Sequence, residues 1–461
     1  MRPESRIQAV IELLTEVDSG GRPADGAASA YFRERRYIGA KDRRAVADQV
    51  WGILRRHARL TWWLRWAAQR GASGGDAGFF FRDPATTARA LTLADLMVME
   101  GKSATDVAQL CAGGPHDPKR LNPTETDLVR ALEGRTLEHP DMPDWVKGEC
   151  PEWLTERLSG LFGASLVREL AALNEPATVD LRVNALKGTR ADALAALKVE
   201  GIAAEPSKLS PLGMRLTSRV NLPGVSAFVS GLIEVQDESS QLAALLADAR
   251  PGMNVVDFCA GAGGKTLALA AAMNNKGRLI ACDVSQGRLD RSKTRLKRAG
   301  VFNVTPRCLS DENDKWVKRK AGSFDRVFLD APCSGTGTWR RNPDAKWRLT
   351  LDGVAELTAK QAKILDSAWR LAAPGGWLIY ATCSLLPEEN EGQIEAFLSK
   401  KTDARLLPVG EIWDRVIAAK GGAKYPLGEA PMLRLTPAKN GTDGFFVAVM
   451  EKLKDDNRQT P

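Results

Sequence analysis

The stretch Asn254-Val255-Val256-Asp257-Phe258-Cys259-Ala260-Gly261-Ala262-Gly263-Gly264-Lys265-Thr266 decides the fold. Asn254 to Phe258 reads as a buried strand, the glycines as a tight turn, and Thr266 to Met273 as a helix. The pattern then repeats. Arg278 to Cys282 is a second strand, closed by Asp283, and a basic helix follows over 286–299. Further strands are expected at Val304 to Leu309, Phe324 to Leu329, Trp377 to Tyr380 and Phe445 to Met450, with a helix over 357–372. Strands that alternate with helices imply a mostly parallel sheet, and such sheets bind ligands at the carboxyl ends of their strands.

The turn after the first strand therefore lies where a ligand is expected. Its glycines let backbone approach a small molecule beside a helix N-terminus. Gly264-Lys265-Thr266 has the end of a P-loop, but the position six before the lysine is Cys259 where a P-loop has glycine. Asp283, at the end of the next strand, can accept hydrogen bonds from ribose hydroxyls. Loop and acid together suit NAD or S-adenosylmethionine equally. Asp311, after the third strand, is placed to meet an adenine amino group, though a turn acid reads the same way.

Two cysteine motifs end the next strands: Asp330-Ala331-Pro332-Cys333-Ser334-Gly335-Thr336-Gly337 and Ala381-Thr382-Cys383-Ser384. Cysteine packs well as a small hydrophobe, so a single one carries little weight. Two thiols and a carboxylate at neighbouring strand ends point instead to covalent chemistry. The three histidines, 57, 116 and 139, all precede this region. That removes Ser-His-Asp triads, Cys-His nucleophiles and His-ligated zinc from the second half. The seven cysteines are scattered, with no Cys-x-x-Cys pair. No metal site is expected, and free thiols suit a reducing cytoplasm.

A chain of 461 residues exceeds one ordinary core. Four segments are expected: a helical bundle over 1–140, an α/β connector over 141–235, the parallel-sheet domain over 236–452 and a disordered tail over 453–461. Ile7, Val10, Ile11 and Leu14 mark one helical face of the bundle, and Leu128 with Leu132 another. In the connector, Val179 to Asn184 and Phe228 to Val235 read as strands. No apolar run is long enough to span a membrane, and the start lacks the pattern of a secretory signal. The formal net charge is +8. Residues 31–70 hold eleven Lys/Arg against three acids, with Trp51, Trp62, Trp63 and Trp66 among them. This is either a nucleic-acid footprint or a solvated helical face over core tryptophans. Arg288 to Arg298, and Arg340, Arg341, Lys346 and Arg348, are further candidates for phosphate contacts.

The motifs resemble those of the RsmB/Nop2-Sun family of S-adenosylmethionine-dependent RNA cytosine-C5 methyltransferases. The matching stretches are Gln236 to Gln241, Asp257 to Thr266, Asp283, Asp311, Asp330 to Gly337, Thr382-Cys383-Ser384, Pro387 to Glu391 and Asp443 to Phe446. Gly261-Ala262 stand where the family usually has Ala-Pro. The resemblance implies a Rossmann-like class I methyltransferase domain. Through Arg35 to Gly39 and Lys41 to Arg43, it also implies an all-α NusB-like RNA-binding bundle. It assigns the cofactor site to Cys259, Ala260, Gly261, Ala262, Gly263, Gly264, Lys265, Asp283, Asp311 and Asp330. Cys383 becomes the nucleophile, Cys333 the group that assists product release, and Asp330 the contact to the cytosine edge, with Lys265 orienting Asp330 or the base. The expected partner is RNA, foremost 16S rRNA, bound by a monomer. Transfer RNA or 23S rRNA is the alternative substrate, and a non-catalytic assembly factor or a dehydrogenase the alternative class. A thiolate that adds to cytosine C6 makes C5 nucleophilic, which gives two thiols separate work. The target base must be unstacked to be reached.

Overall fold

The computed structural model describes residues 1–454 and divides into two compact units. Of the expected tail, residues 455–461 lie outside the described residues. Leu453, at its start, donates its backbone N–H to Asp403 O at 2.8 Å.

The first unit comprises Met1–Glu175 and the segment Trp339–Arg348. It thus runs past the proline-rich stretch near 140, through two further helices, Glu152–Phe162 and Leu166–Asn174. Its principal helices are α1 (Pro3–Ser19), α2 (Ala24–Glu34), α3 (Ala40–Arg55), α4 (His57–Gln69), α5 (Pro84–Val98), α6 (Ala104–Leu110) and α7 (Pro123–Leu132). Asn122 and Ser103 close capping boxes on α7 and α6. The core gathers Val10, Leu14, Val50, Ile53, Leu93 and Leu128. The tryptophans belong to this core: Trp63 and Trp66 are buried, and Trp51 and Trp62 pack against it. Of the two readings of residues 31–70, the aromatic half resolves to packing. Arg56 pairs with Asp95 and Arg59 with Glu149, while Arg33, Arg36, Lys41 and Arg44 stay exposed.

Lys346 corrects another expectation. It is fully buried in this unit and donates to Asn174 Oδ1 at 3.0 Å, so it faces no phosphate. Burial lowers its pKa to about 8, against the pull of Glu149.

The second unit holds Pro176–Thr338 and the chain from Leu349 on. Its first sheet is antiparallel, in the order β2–β3–β1–β4, with β1 Asp180–Val183, β2 Ala204–Pro206, β3 Gly213–Leu216 and β4 Ile233–Val235. The strand expected over 228–235 is broken. A short helix, Ser226–Val229, precedes Gly231, and only then does β4 begin. Gly231 has φ +74°, and a Cβ there would sit 2.1 Å from Arg298 O, so a straight strand has no room.

The large sheet contains β5 (Asn254–Asp257), β6 (Arg278–Asp283), β7 (Val304–Cys308), β8 (Phe324–Asp330), β9 (Ala372–Thr382), β10 (Ala404–Leu407), β11 (Leu433–Leu435) and β12 (Phe445–Lys452). The order is β10–β12–β9–β8–β5–β6–β7, and β11 pairs with β12. From β7 to β9 every pairing is parallel, and β12 lies antiparallel to β9. Alternate residues feed two buried layers. Val255, Phe328, Ile379 and Val447 enter one layer, and Val256, Val327, Leu378 and Phe446 the other. This explains why the strands read as continuous apolar runs. The helix before β9 is Leu351–Leu371, capped by Thr350, and starts six residues earlier than expected. The order reverses between β5 and β8, and that reversal opens a crevice at their carboxyl ends.

Candidate active site

Every candidate residue of the second unit lies on a segment that leaves this edge of the sheet. The loop after β5 turns through Gly261 (φ +55°) and Gly263 (φ +81°), and the helix Gly264–Ala272 follows. Asp283, at the end of β6, is buried and bonded on both oxygens. Oδ2 accepts from Gly261 N at 2.9 Å and Oδ1 from Ser285 N at 2.8 Å. A carboxylate has about four lone-pair positions, so two remain for hydroxyl donors. A Cβ built on Gly261 would meet nothing within 4 Å. The loop therefore fits a nucleoside with ribose hydroxyls: open space over the glycine, a buried acceptor beside it and a helix N-terminus behind. Asp311 is exposed after β7, and its Oδ1 accepts from Asn313 N at 2.7 Å. Cys259 is half-buried, and burial raises its thiol pKa well above the ordinary value, so it stays protonated.

The loop is also held from the β1–β4 sheet. Arg182 of β1 donates to Gln236 Oε1 and to Gly264 O (3.2 Å). Arg295 donates to Ala262 O at 2.7 Å and pairs with Glu234 of β4. Arg298 also pairs with Glu234 and stacks on Phe228. These two members of the basic helix thus anchor structure.

Across the switch point, Lys265 Nζ donates to Asp330 Oδ2 at 2.6 Å. The contact with Asp330, one of the two that the sequence left open for Lys265, is therefore present. Burial alone would depress the lysine, but Asp330 and the acidic groups around it outweigh burial and hold its pKa above the ordinary value. Below the pair, Thr266 Oγ1 donates to Asp257 Oδ2 at 2.7 Å, and Asp257 Oδ1 has no partner among the described residues. Burial raises the Asp257 pKa to about 7.

Cys333 and Cys383 meet. Their Sγ atoms are 3.5 Å apart. The parallel register pairs Asp330 with Ala381, so the two chains leave the sheet side by side. Ala331 N then bonds Ala381 O, and Gly337 N bonds Cys383 O at 2.9 Å. The Cys333 thiol is held well above its ordinary pKa, first by its hydrogen bond with Cys383, then by burial and by nearby Glu389.

The sequence reading assigned no role to Glu389 and Asn390. Glu389 is fully buried. Its Oε1 accepts from Ser334 N (2.8 Å) and Gln361 Nε2 (2.9 Å), and its Oε2 from the hydroxyls of Ser334 and Ser384. Asn390 accepts from Thr382 Oγ1 at 2.6 Å and donates to Ser384 O at 3.0 Å, so it brackets Cys383. Both lie in Pro387 to Glu391, a stretch the resemblance singled out. Two adjacent acids followed by Asn390 and Glu391 carry no other signal of burial.

A family model described as 16S rRNA methyltransferase RsmB/F matches residues 244–451, the region of the large sheet. A ferredoxin-like domain of RsmF/B-like methyltransferases matches 150–223. The ribosomal RNA small subunit methyltransferase B of Sodalis glossinidius is 33% identical over 90% of this chain and 91% of its own length. The proteins of that name from Pseudomonas syringae pv. tomato and Serratia proteamaculans are each 35% identical. They match over 70% and 66% of this chain, and over 69% and 66% of their own lengths. Among solved structures, PH0851 superposes with a TM-score of 0.77 at 27% identity, over 98% of this chain and 99% of its own. A methyltransferase homolog from Pyrococcus horikoshii gives 0.58 at 30% identity, over 68% of this chain and 100% of its own. A relative a third identical along nine-tenths of both sequences, and a family model spanning the sheet that carries both cysteines, make this chain a member of the RsmB/Nop2-Sun family of methyltransferases.

Proposed function

We propose that the chain methylates carbon 5 of a cytosine in 16S rRNA, with S-adenosylmethionine as donor. The observation that carries this is the pair of thiols 3.5 Å apart, at the ends of adjacent strands beside Lys265–Asp330. The loop 259–264, Asp283 and Asp311 would hold the cofactor, which supplies an electrophilic methyl group. Cys383, as thiolate, adds to C6 of the base and makes C5 nucleophilic. Asp330, oriented by Lys265, takes the N3/N4 edge and stabilises charge as the adduct forms. After C5 is methylated, solvent water takes the C5 proton, the C6–S bond breaks, and Cys383 leaves as a thiolate that can accept a hydrogen bond from the Cys333 thiol. Cys333, kept as a thiol beside Cys383, assists that elimination. The first unit serves as a NusB-like RNA-binding module, with Arg33, Arg36, Lys41 and Arg44 facing phosphates.

Separate substitutions test the assignment. Cys383→Ala should abolish methyl transfer, and Cys333→Ala should leave a covalent protein–RNA adduct, seen as a slower band on a denaturing gel. Normal turnover by Cys333→Ala without adduct would refute the division of roles. Bisulfite sequencing of rRNA from a deletion strain tests the substrate, and an unchanged 16S profile would move it to tRNA or 23S rRNA. Binding of 16S rRNA without any methyl transfer would favour an assembly factor.

A further inference from the structure

We propose that Glu389 is the positioning residue that sets the two cysteines against each other. Two thiols on separate loops have no intrinsic reason to stay in contact. Sheet register brings their strands together only as far as Asp330 and Ala381, and each cysteine lies beyond that point. A serine comes directly after each cysteine, and both serines end on the same carboxylate.

Glu389 takes the backbone N–H and hydroxyl of Ser334 and the hydroxyl of Ser384. Gln361 braces the arrangement, with Nε2 bonded to Glu389 Oε1 and to Pro332 O, both at 2.9 Å. Pro332 immediately precedes Cys333, so that cysteine is tied on both sides. Cys383 is tied likewise, by Asn390 at Thr382 Oγ1 and Ser384 O. Tyr380 of β9 donates to Glu389 O at 2.7 Å and fixes the acid's own backbone to the sheet. A carboxylate is the group this place requires. Oε1 meets two N–H donors and must accept, and a charged Oε2 takes both serine hydroxyls as donors. An amide loses that charge and sets its NH2 against the two hydroxyls, which must turn and accept.

The inference rests on the separate roles given to Cys383 and Cys333, and its test is built to fail separately from that reading. Glu389→Gln keeps the volume and removes one acceptor, and Ser384→Ala removes one of the two hydroxyls on Glu389 together with the acceptor of Leu386 N. Contact between the thiols is read without catalysis, through their oxidation by diamide. The two thiols give up two protons and two electrons, the diazene becomes a hydrazine, and a 333–383 disulfide forms. Mass spectrometry of the linked peptides gives the rate. Loss of one charge-assisted hydrogen bond should slow it roughly tenfold in Glu389→Gln, and less in Ser384→Ala.

The RNA adduct should accumulate in Glu389→Gln as in Cys333→Ala, with S-adenosylmethionine affinity unchanged. Cross-linking at the parental rate in both variants would overturn the proposal. So would parental turnover without adduct in Glu389→Gln, while Cys333→Ala still traps one. A role in stability alone would lower the melting temperature without trapping adduct, and that result also overturns it. If Cys333→Ala itself trapped no adduct, the reading of the cysteines would fall, and the diamide rates would still decide the role of Glu389.

Discussion

Replacing Lys265 by methionine keeps the packed stem and removes the charge that meets Asp330. The ion pair is 2.6 Å long, with the lysine side chain 13% and the aspartate 32% exposed. A hydrogen bond to a charged partner contributes about 1.5–3 kcal/mol net. Water reaches a third of Asp330, so screening trims this to roughly 1–2 kcal/mol. Expressed in the transition state, that loss lowers kcat by roughly 5- to 30-fold and leaves KM for S-adenosylmethionine within about twofold. Steady-state transfer of labelled methyl groups to a 16S rRNA transcript measures both. The pH dependence adds a second constraint. The folded-state pKa of Lys265 lies above its ordinary 10.5, so the pair's contribution is complete below that value and is lost only as pH rises through the raised one. The ratio of parent to variant rates should therefore stay flat from about pH 6 to 9. A ratio that collapses within that range, or a loss confined to KM for the cofactor, would refute the assignment of Lys265 as the partner of Asp330.

Asp283→Ala removes the acceptor shared by Gly261 N and Ser285 N, and should weaken cofactor binding roughly 10- to 100-fold by calorimetry while sparing kcat at saturation. A Cβ on Gly337 would sit 2.2 Å from Gly444 O, and the bond from Gly444 N to Gly337 O would have to give way. Gly337→Ala should thus cost about 1–3 kcal/mol in denaturant unfolding and slow methyl transfer more than it weakens cofactor binding. Asp257 titrates near 7 when folded against 3.8 when free, so the folded state holds its proton more tightly. The stability this gives is full below about pH 4 and is lost as pH rises to about 7. Asp257→Asn escapes that loss, and its melting temperature relative to the parent should climb between about pH 5 and pH 8.

The residues proposed to do chemistry were legible because each follows a strand end, and strand ends are marked by where an apolar run stops. Asp283, Asp330 and Cys383 were found that way. What was not legible depends on pairing and on facing. Lys346 reads as one more basic residue in an exposed-looking run, yet it is buried against Asn174. Charge in a sequence marks composition, whereas burial depends on the element packed above it. Gly231 lies inside the strand expected over 228–235, and it breaks that strand because Arg298 O approaches within the space of a side chain. Glu389 is the extreme case. It serves two loops whose cysteines are fifty residues apart, and it lies in neither motif. Only the β8–β9 register explains why one acid reaches both. A serine after each cysteine is the local trace of that arrangement. Ser334 and Ser384 were quoted within the motifs from the outset, and their meaning appears once both hydroxyls are seen to end on one carboxylate. The chemistry of the site was thus written in residues next to the strands, and its geometry in residues that answer to two strands at once.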